Sequence, residues 1–259
     1  MPPQSINRRK FIKFTASAIA VGTVAGVTAS VAAPPPAIKA IAFDALAVFD
    51  LRPVFARAEE LFPGHGAELS NVWRTRQFEY AWLRCLSRNY ADFWQVTEEA
   101  LVFAAKTLKL ELSSQNREQL MAGYLKLKPW PDAVPVLSAL KQTKIRIALL
   151  SNFSPKMLQA AVKSSKLENV FEHQLSTDAA RTYKPDPRAY QLGVDTFRLR
   201  REQIAFVTFG GWDAAGARAF GYPTFWCNRQ NLPTEELGVK PDATSATLEG
   251  LTKFAGVER

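Results

Sequence analysis

Residues 41–50 read IAFDALAVFD. Three apolar residues, Ile41-Ala42-Phe43, run straight into Asp44, and Asp50 follows six positions later. A short apolar run of this kind reads as a buried strand. A carboxylate at its end is costly to bury unless it has a partner or a task. The stretch after Asp44 is ALAVF, with neither glycine nor threonine, although a chain leaving a strand for a turn usually draws on residues of those types.

Outward from this strand, Lys39–Phe43, the pattern is helical and then alternating. Four helical segments follow with no strand between them: Pro53–Leu61, Glu68–Leu86, Phe93–Leu108 and one beginning at Ser113. Val72, Trp73, Phe78, Trp82 and Leu86 recur at roughly helical spacing in the second. Asp92 is placed to cap the third. From Pro131 the chain alternates: helix Asp132–Leu140, strand Ile145–Leu150, helix Pro155–Ser164, strand His173–Ser176, helix Pro187–Phe197, strand Ile204–Thr208, helix Ala214–Phe220 and strand Thr224–Cys227. Alternating strands and helices imply a parallel sheet covered on both faces. The fold class expected is therefore α/β: a doubly wound, Rossmann-like core from residues 38–51 and 128–255, with an all-helical cap domain inserted at 52–127.

Composition narrows the function. With 259 residues, 47% of them hydrophobic, the chain can bury a core without disulfides or metal. The N-terminus pairs Arg8 and Arg9 with Lys10, Phe11, Ile12 and Lys13, ahead of an apolar, small-residue run to Ala33 and three prolines. A basic head, an apolar middle and a small-residue end make an export signal. The arginine pair followed by Phe and Lys resembles a twin-arginine signal, with Asn7 in place of the usual Ser or Thr. Residues 1–33 are thus expected to be a signal read by the twin-arginine export machinery, giving a periplasmic or secreted protein; an uncleaved membrane anchor is the alternative. Loss of those four positive charges takes the formal net charge from +9 to +5, ordinary for a soluble protein. With no further Lys/Arg run and no recognisable nucleic-acid motif, no nucleic-acid partner is expected. Cys85 and Cys227 show no metal-ligand spacing and are expected to be buried free thiols. The two histidines, His65 and His173, lie far apart, which argues against a histidine zinc site or a Ser-His-Asp triad.

In doubly wound sheets the ligand crevice lies beyond the carboxyl ends of the strands. The polar residues expected there are Asp44, Ser151, Asn152, Lys184 in "TYKPDP", Thr208 and Asp213. Any one of them alone reads as a helix cap or a solvated loop residue, and Asp213 in particular is placed to cap a helix beginning at Ala214. Their convergence on one edge is what points to a site.

This arrangement resembles the haloacid dehalogenase superfamily, whose four motifs are a strand-end Asp nucleophile, a strand-end Ser or Thr, a Lys and a terminal acid, matched here by Asp44, Ser151, Lys184 and Asp213. The resemblance is stronger to the type II 2-haloacid dehalogenases and covers nearly the whole chain after residue 33. "VWRTRQFEYAWLR" is similar to that branch's cap helix, and "LLSNFSP", "YKPDPRAY" and "WDAAGARAFGYPTFWCNR" resemble its later motifs in order and spacing. The resemblance implies hydrolysis of a carbon–halogen bond at C2 of a short carboxylic acid through an aspartyl ester. In that scheme Asp44 attacks C2, Arg74 and Asn152 stabilise the departing halide, Ser151 holds the substrate carboxylate, and Asp213 orients Lys184 or the hydrolytic water. Phe93 and Trp212 wall the pocket, Leu46 and Thr208 contact the substrate, and Tyr190 supports Lys184. The substrate expected is a small 2-haloacid, and the resemblance also allows a homodimer.

Phosphatases of the superfamily carry a second Asp two residues after the nucleophile, where this chain has Leu46, and an added acid before the last one, where it has "TFGGWD". No metal ligand set and no cofactor are therefore expected. Two places depart from the dehalogenase pattern itself. Its xYGTLFD loop is here one residue shorter, with Leu46 for Tyr and neither Gly nor Thr. Its Ser-x-Asn-x-Trp-Asp becomes Thr208-Phe209-Gly210-Gly211-Trp212-Asp213, without the amide. Alternatives that share the pocket are a hydrolase of another small acid and a non-catalytic small-acid binder.

Overall fold

The computed structural model describes residues 37–257, so the export-signal reading of residues 1–33 lies outside the described residues. In chain order the elements are β1 (Ala40–Phe43), α1 (Ala45–Val48), β2 (Phe49–Asp50), α2 (Arg52–Leu61), α3 (Gly66–Leu86), α4 (Phe93–Thr107), α5 (Ser114–Gly123), β3 (Lys128–Pro129), α6 (Ala133–Lys141), β4 (Arg146–Ser151), α7 (Pro155–Ser164), β5 (His173–Ser176), α8 (Pro187–Phe197), β6 (Ile204–Thr208), α9 (Gly211–Phe220), β7 (Thr224–Cys227), β8 (Ala243–Ser245) and α10 (Leu251–Phe254).

The main sheet has six strands in the order β5-β4-β1-β6-β7-β8, and every neighbouring pair in it is parallel. All residues of β1, β6 and β7 are buried, as expected of strands covered by helices on both faces. The chain builds outward from β1 through β4 to β5, then returns to the other side of β1 for β6 to β8. That reversal makes the carboxyl ends of β1, β4 and β6 the topological switch point. Phe43 stands level with Leu149 and with Val207, so Asp44, Ser151 and Thr208 emerge along one edge.

Between β2 and β3 the chain forms the expected helical insertion, α2 to α5. A two-residue antiparallel pair, Phe49 opposite Pro129 and Asp50 opposite Lys128, brings its two crossings together. Inside the insertion the Trp73 indole donates to the Thr97 carbonyl at 2.8 Å, and the Gln77 amide donates to the Thr97 hydroxyl at 2.6 Å. Asp92 and Ser113 cap α4 and α5, accepting from Gln95 N–H and Asn116 N–H.

Three local features differ from expectation. Helix α9 starts at Gly211 rather than Ala214, so Asp213 lies inside its first turn and does not cap it. The β2–β3 pair, β8 and the short helices α1 and α10 are not among the expected elements: two or three residues are too few to show a strand's alternation, and a single helical turn is too short to show a helical period. Of the two thiols, both free, Cys227 is buried but Cys85 is half-buried. Burial pushes the Cys227 thiol up to about 12.

Candidate active site

The turn after Asp44 explains its own composition. Asp44 is the N-cap of α1, with φ −61° and ψ 141°, and its Oδ2 accepts the Leu46 N–H at 2.9 Å. No residue from 45 to 50 has a positive φ, so the turn needs no glycine. Ala45 and Ala47 are fully buried, where a small side chain fits. The turn's carbonyls are taken up from outside: the Trp130 indole donates to Leu46 O at 3.1 Å and Arg229 Nη2 to Ala47 O at 3.2 Å.

Asp44 faces two further donors. Its Oδ1 accepts from Lys184 Nζ at 2.8 Å and from Ser151 Oγ at 3.3 Å. Lys184, only 1% exposed, also donates to Asp213 Oδ2 at 2.6 Å. A buried ammonium is tolerated when it is paired and hydrogen-bonded. Burial pulls its pKa down, but Asp213 and Asp44 outweigh that and hold it above the ordinary lysine value. Asp213 moves up from the carboxylate range, because burial and the neighbouring Asp44 charge prevail over the donors Lys184 and Tyr190. Thr208 Oγ1 donates to Asp213 Oδ2 at 2.8 Å.

Asn152 is held by its oxygen. Oδ1 accepts the Lys184 N–H at 2.9 Å and the Thr177 hydroxyl at 3.3 Å, while the buried Nδ2 has no partner. An unmatched buried donor is costly, and Asn152 lines the cavity, so its Nδ2 is left free for an acceptor there. Arg74, on α3, makes no ion pair with any carboxylate among the described residues. It lies over the Phe55 ring at 5.5 Å, and burial pushes its pKa down, with Tyr124 and Asp44 pulling the other way.

Every residue expected at the site except Tyr190 lines one cavity of about 150 Å³. Tyr190 is a correction. Its hydroxyl donates to Asp213 Oδ1 at 2.7 Å, and its ring packs on Phe206 and Tyr222, so it holds Asp213 rather than Lys184 and stays off the cavity wall. Thr208 lines the cavity, and its hydroxyl is engaged by Asp213. Where the sequence loses an amide at Gly210, the Trp212 indole nitrogen stands 3.1 Å from the position a Cβ would take, so an N–H donor group occupies that space. Phe78, Phe153 and Gln230 also line the cavity and were not anticipated. Phe78 was legible as the helical neighbour of Arg74 at i+4; Gln230 lies on a loop and carried no signal.

Among the described residues no group of three or more His, Cys, Asp or Glu is gathered in a way that could hold a metal ion. Between Asp44 and Asp213 the cationic position is taken by Lys184.

Comparison with known proteins agrees with this geometry. The family model for haloacid dehalogenase-like hydrolases matches residues 36–221. Haloacetate dehalogenase H-2 of Moraxella sp. (strain B) is 41% identical over 221 residues, covering 85% of this chain and 99% of that protein. The (S)-2-haloacid dehalogenase of Pseudomonas sp. (strain YL) is 42% identical over 218 residues, 84% of this chain and 94% of that one. The solved structure of L-2-haloacid dehalogenase from Xanthobacter autotrophicus with chloropropionic acid covalently bound superposes with a TM-score of 0.78 at 32% identity, covering 86% of this chain and all of that one. With Asp44, Lys184 and Asp213 converging at the switch point of a parallel sheet, the chain belongs to the haloacid dehalogenase-like hydrolase family.

Proposed function

We propose that the protein hydrolyses the carbon–halogen bond of 2-haloacids to give 2-hydroxy acids through an ester on Asp44. The observation that carries this is the unequal hold on the Asp44 carboxylate: Oδ1 takes two side-chain donors, while Oδ2 takes one backbone N–H. Oδ2 is then the attacking oxygen. It forms a bond to C2 as the halogen leaves opposite it with both bonding electrons, inverting C2. Arg74 and the free Asn152 Nδ2 supply positive charge and a donor to the developing halide.

In the second step water attacks the ester carbonyl carbon. The negative charge that develops on Oδ1 falls between Lys184 Nζ and Ser151 Oγ, which already touch that oxygen. Asp213, with its pKa raised, takes the proton from water. Collapse breaks the bond between the ester carbonyl carbon and Oδ2, and the departing 2-hydroxy acid oxygen takes that proton back. The second proton of the attacking water, left on the Asp44 carboxyl, passes to solvent, and Asp44 and Asp213 are regenerated as carboxylates. Leu46, two residues after the nucleophile, has no proton to give an alkoxide leaving group, which favours this chemistry over phosphate-ester hydrolysis.

Two features support the setting. The arginine pair Arg8-Arg9 favours export to the periplasm by the twin-arginine route. The helical insertion at 52–127, which supplies Arg74 and Phe93, acts as a cap domain over the core. Chloride release from each enantiomer of 2-chloropropionate, with lactate as the co-product, is the test; no chloride from either enantiomer overturns the proposal.

A further inference from the structure

We propose that the C2 substituent of the substrate passes Leu46 into a second chamber, so that the protein prefers 2-haloacids with an unbranched carbon chain of several atoms; this rests on the dehalogenation proposed above. The second chamber has a volume of about 180 Å³ and shares Leu46, Leu51, Arg74, Phe209 and Gln230 with the reaction cavity. The two spaces therefore lie side by side along Leu46. Asp44 Oδ2 accepts the Leu46 N–H, so a carbon joined to that oxygen stands next to Leu46. The dehalogenase pattern has tyrosine at this position, and the larger ring would narrow the opening that leucine leaves.

The chamber's far wall is built to receive apolar atoms. It carries Phe55 and Trp130, and the Trp130 ring is clamped between the guanidinium groups of Arg52 and Arg229, each 4.5 Å from its centroid. Its indole N–H is fixed on Leu46 O, so the wall is pre-formed. Charge in that wall is already matched. Arg52 pairs with Asp50 at 2.7 Å, and Arg229 with Asp132 at 2.9 Å. The unmatched donor there, Arg229 Nε, is one N–H on a guanidinium that already has its carboxylate. An uncharged chain loses nothing on entering, whereas an anion-tipped one finds its unpaired cation, Arg74, only at the mouth shared with the reaction cavity, where the departing halide engages it, and paired cations at the far wall. At ~30 Å³ per water-sized group the chamber holds about six such groups, ample for a butyl chain.

The experiment is a substrate series on the intact protein: 2-bromopropionate, 2-bromobutyrate, 2-bromohexanoate and the carboxylate-tipped 2-bromoadipate. Each methylene removed from water should raise kcat/KM roughly fourfold. The hexanoate is therefore expected to exceed the propionate by at least tenfold, and the adipate to fall below the hexanoate. Phe55→Trp, which fills the chamber from its far side, should cancel the hexanoate advantage; the hexanoate-to-propionate ratio is the readout, because any shift of Arg74, which lies over the Phe55 ring, acts on both substrates alike. Leu46→Tyr should lower the hexanoate-to-propionate ratio in the same direction. Bromide released from propionate but tenfold less from hexanoate overturns the inference while leaving the proposed reaction standing. A ratio unmoved by both substitutions also overturns it, and a dominant adipate would assign the chamber to an anion. No halide from any substrate removes both proposals.

Discussion

Lys184 Nζ lies 2.8 Å from Asp44 Oδ1 and 2.6 Å from Asp213 Oδ2, so a single ammonium bridges the two buried carboxylates of the site. The three residues come from three separate places in the sequence, and each is unaffordable in the interior without the others. The bridge leaves Asp44 Oδ2 clear of side-chain donors, while burial and the Asp44 charge raise the Asp213 pKa from the carboxylate range.

Asp44→Asn is expected to abolish turnover. The amide can still accept the Leu46 N–H and keep the turn, so the protein should fold, as circular dichroism would verify. A single turnover in ¹⁸O-enriched water should leave the label in Asp44, because water attacks the ester carbonyl and the first product carries the old carboxylate oxygen. Label in the first product would mean direct attack of water at C2.

The pH profile of kcat should show an acid limb above the ordinary carboxylate range and an alkaline limb above the ordinary lysine range. The signs follow from the two directions. Asp213, with its pKa raised, stays protonated and inactive as a base to a higher pH than usual, so activity rises late. Lys184, raised as well, keeps its proton further into alkali. Tyr190→Phe removes a donor that lowers the Asp213 pKa, so its acid limb should move to still higher pH. A limb that moves down, or does not move, would deny Tyr190 this role.

Arg74→Ala should reduce kcat by roughly 10²-fold, about 3 kcal/mol, the scale of one lost transition-state donor. Bromide leaves more readily than chloride and needs less help. The bromide-to-chloride rate ratio should therefore rise in the variant. An unchanged ratio would place Arg74 on another part of the substrate.

Chelation should leave the rate unchanged, because the positive charge between Asp44 and Asp213 is covalently part of the chain. A rate that collapses with EDTA and returns with Mg²⁺ would overturn this account of the site.

The double substitution Arg8→Lys and Arg9→Lys is expected to keep the protein in the cytoplasm, since the twin-arginine route reads that pair. Undiminished periplasmic yield would refute the export reading.

The sequence by itself determined the alternating core. The strands Ile204–Thr208 and Thr224–Cys227 and the helices Pro155–Ser164 and Pro187–Phe197 match their predicted bounds, because short apolar runs bounded by turn residues and proline helix starts are local signals. It also determined which polar residues would meet, since strand-end residues of a doubly wound sheet share one edge. What only the tertiary structure decided was each residue's partner. Tyr190 on Asp213 rather than Lys184, Asp213 inside α9 rather than at its cap, and Trp130 on Leu46 O all depend on contacts between segments distant in sequence or on a three-residue shift in a helix start. Neither leaves a period to read. The ALAV turn shows the boundary most plainly. Its composition looked like the loss of a glycine, yet backbone angles and the donors Trp130 and Arg229, some 80 and 180 residues away, make it a closed helical turn in which glycine has no task.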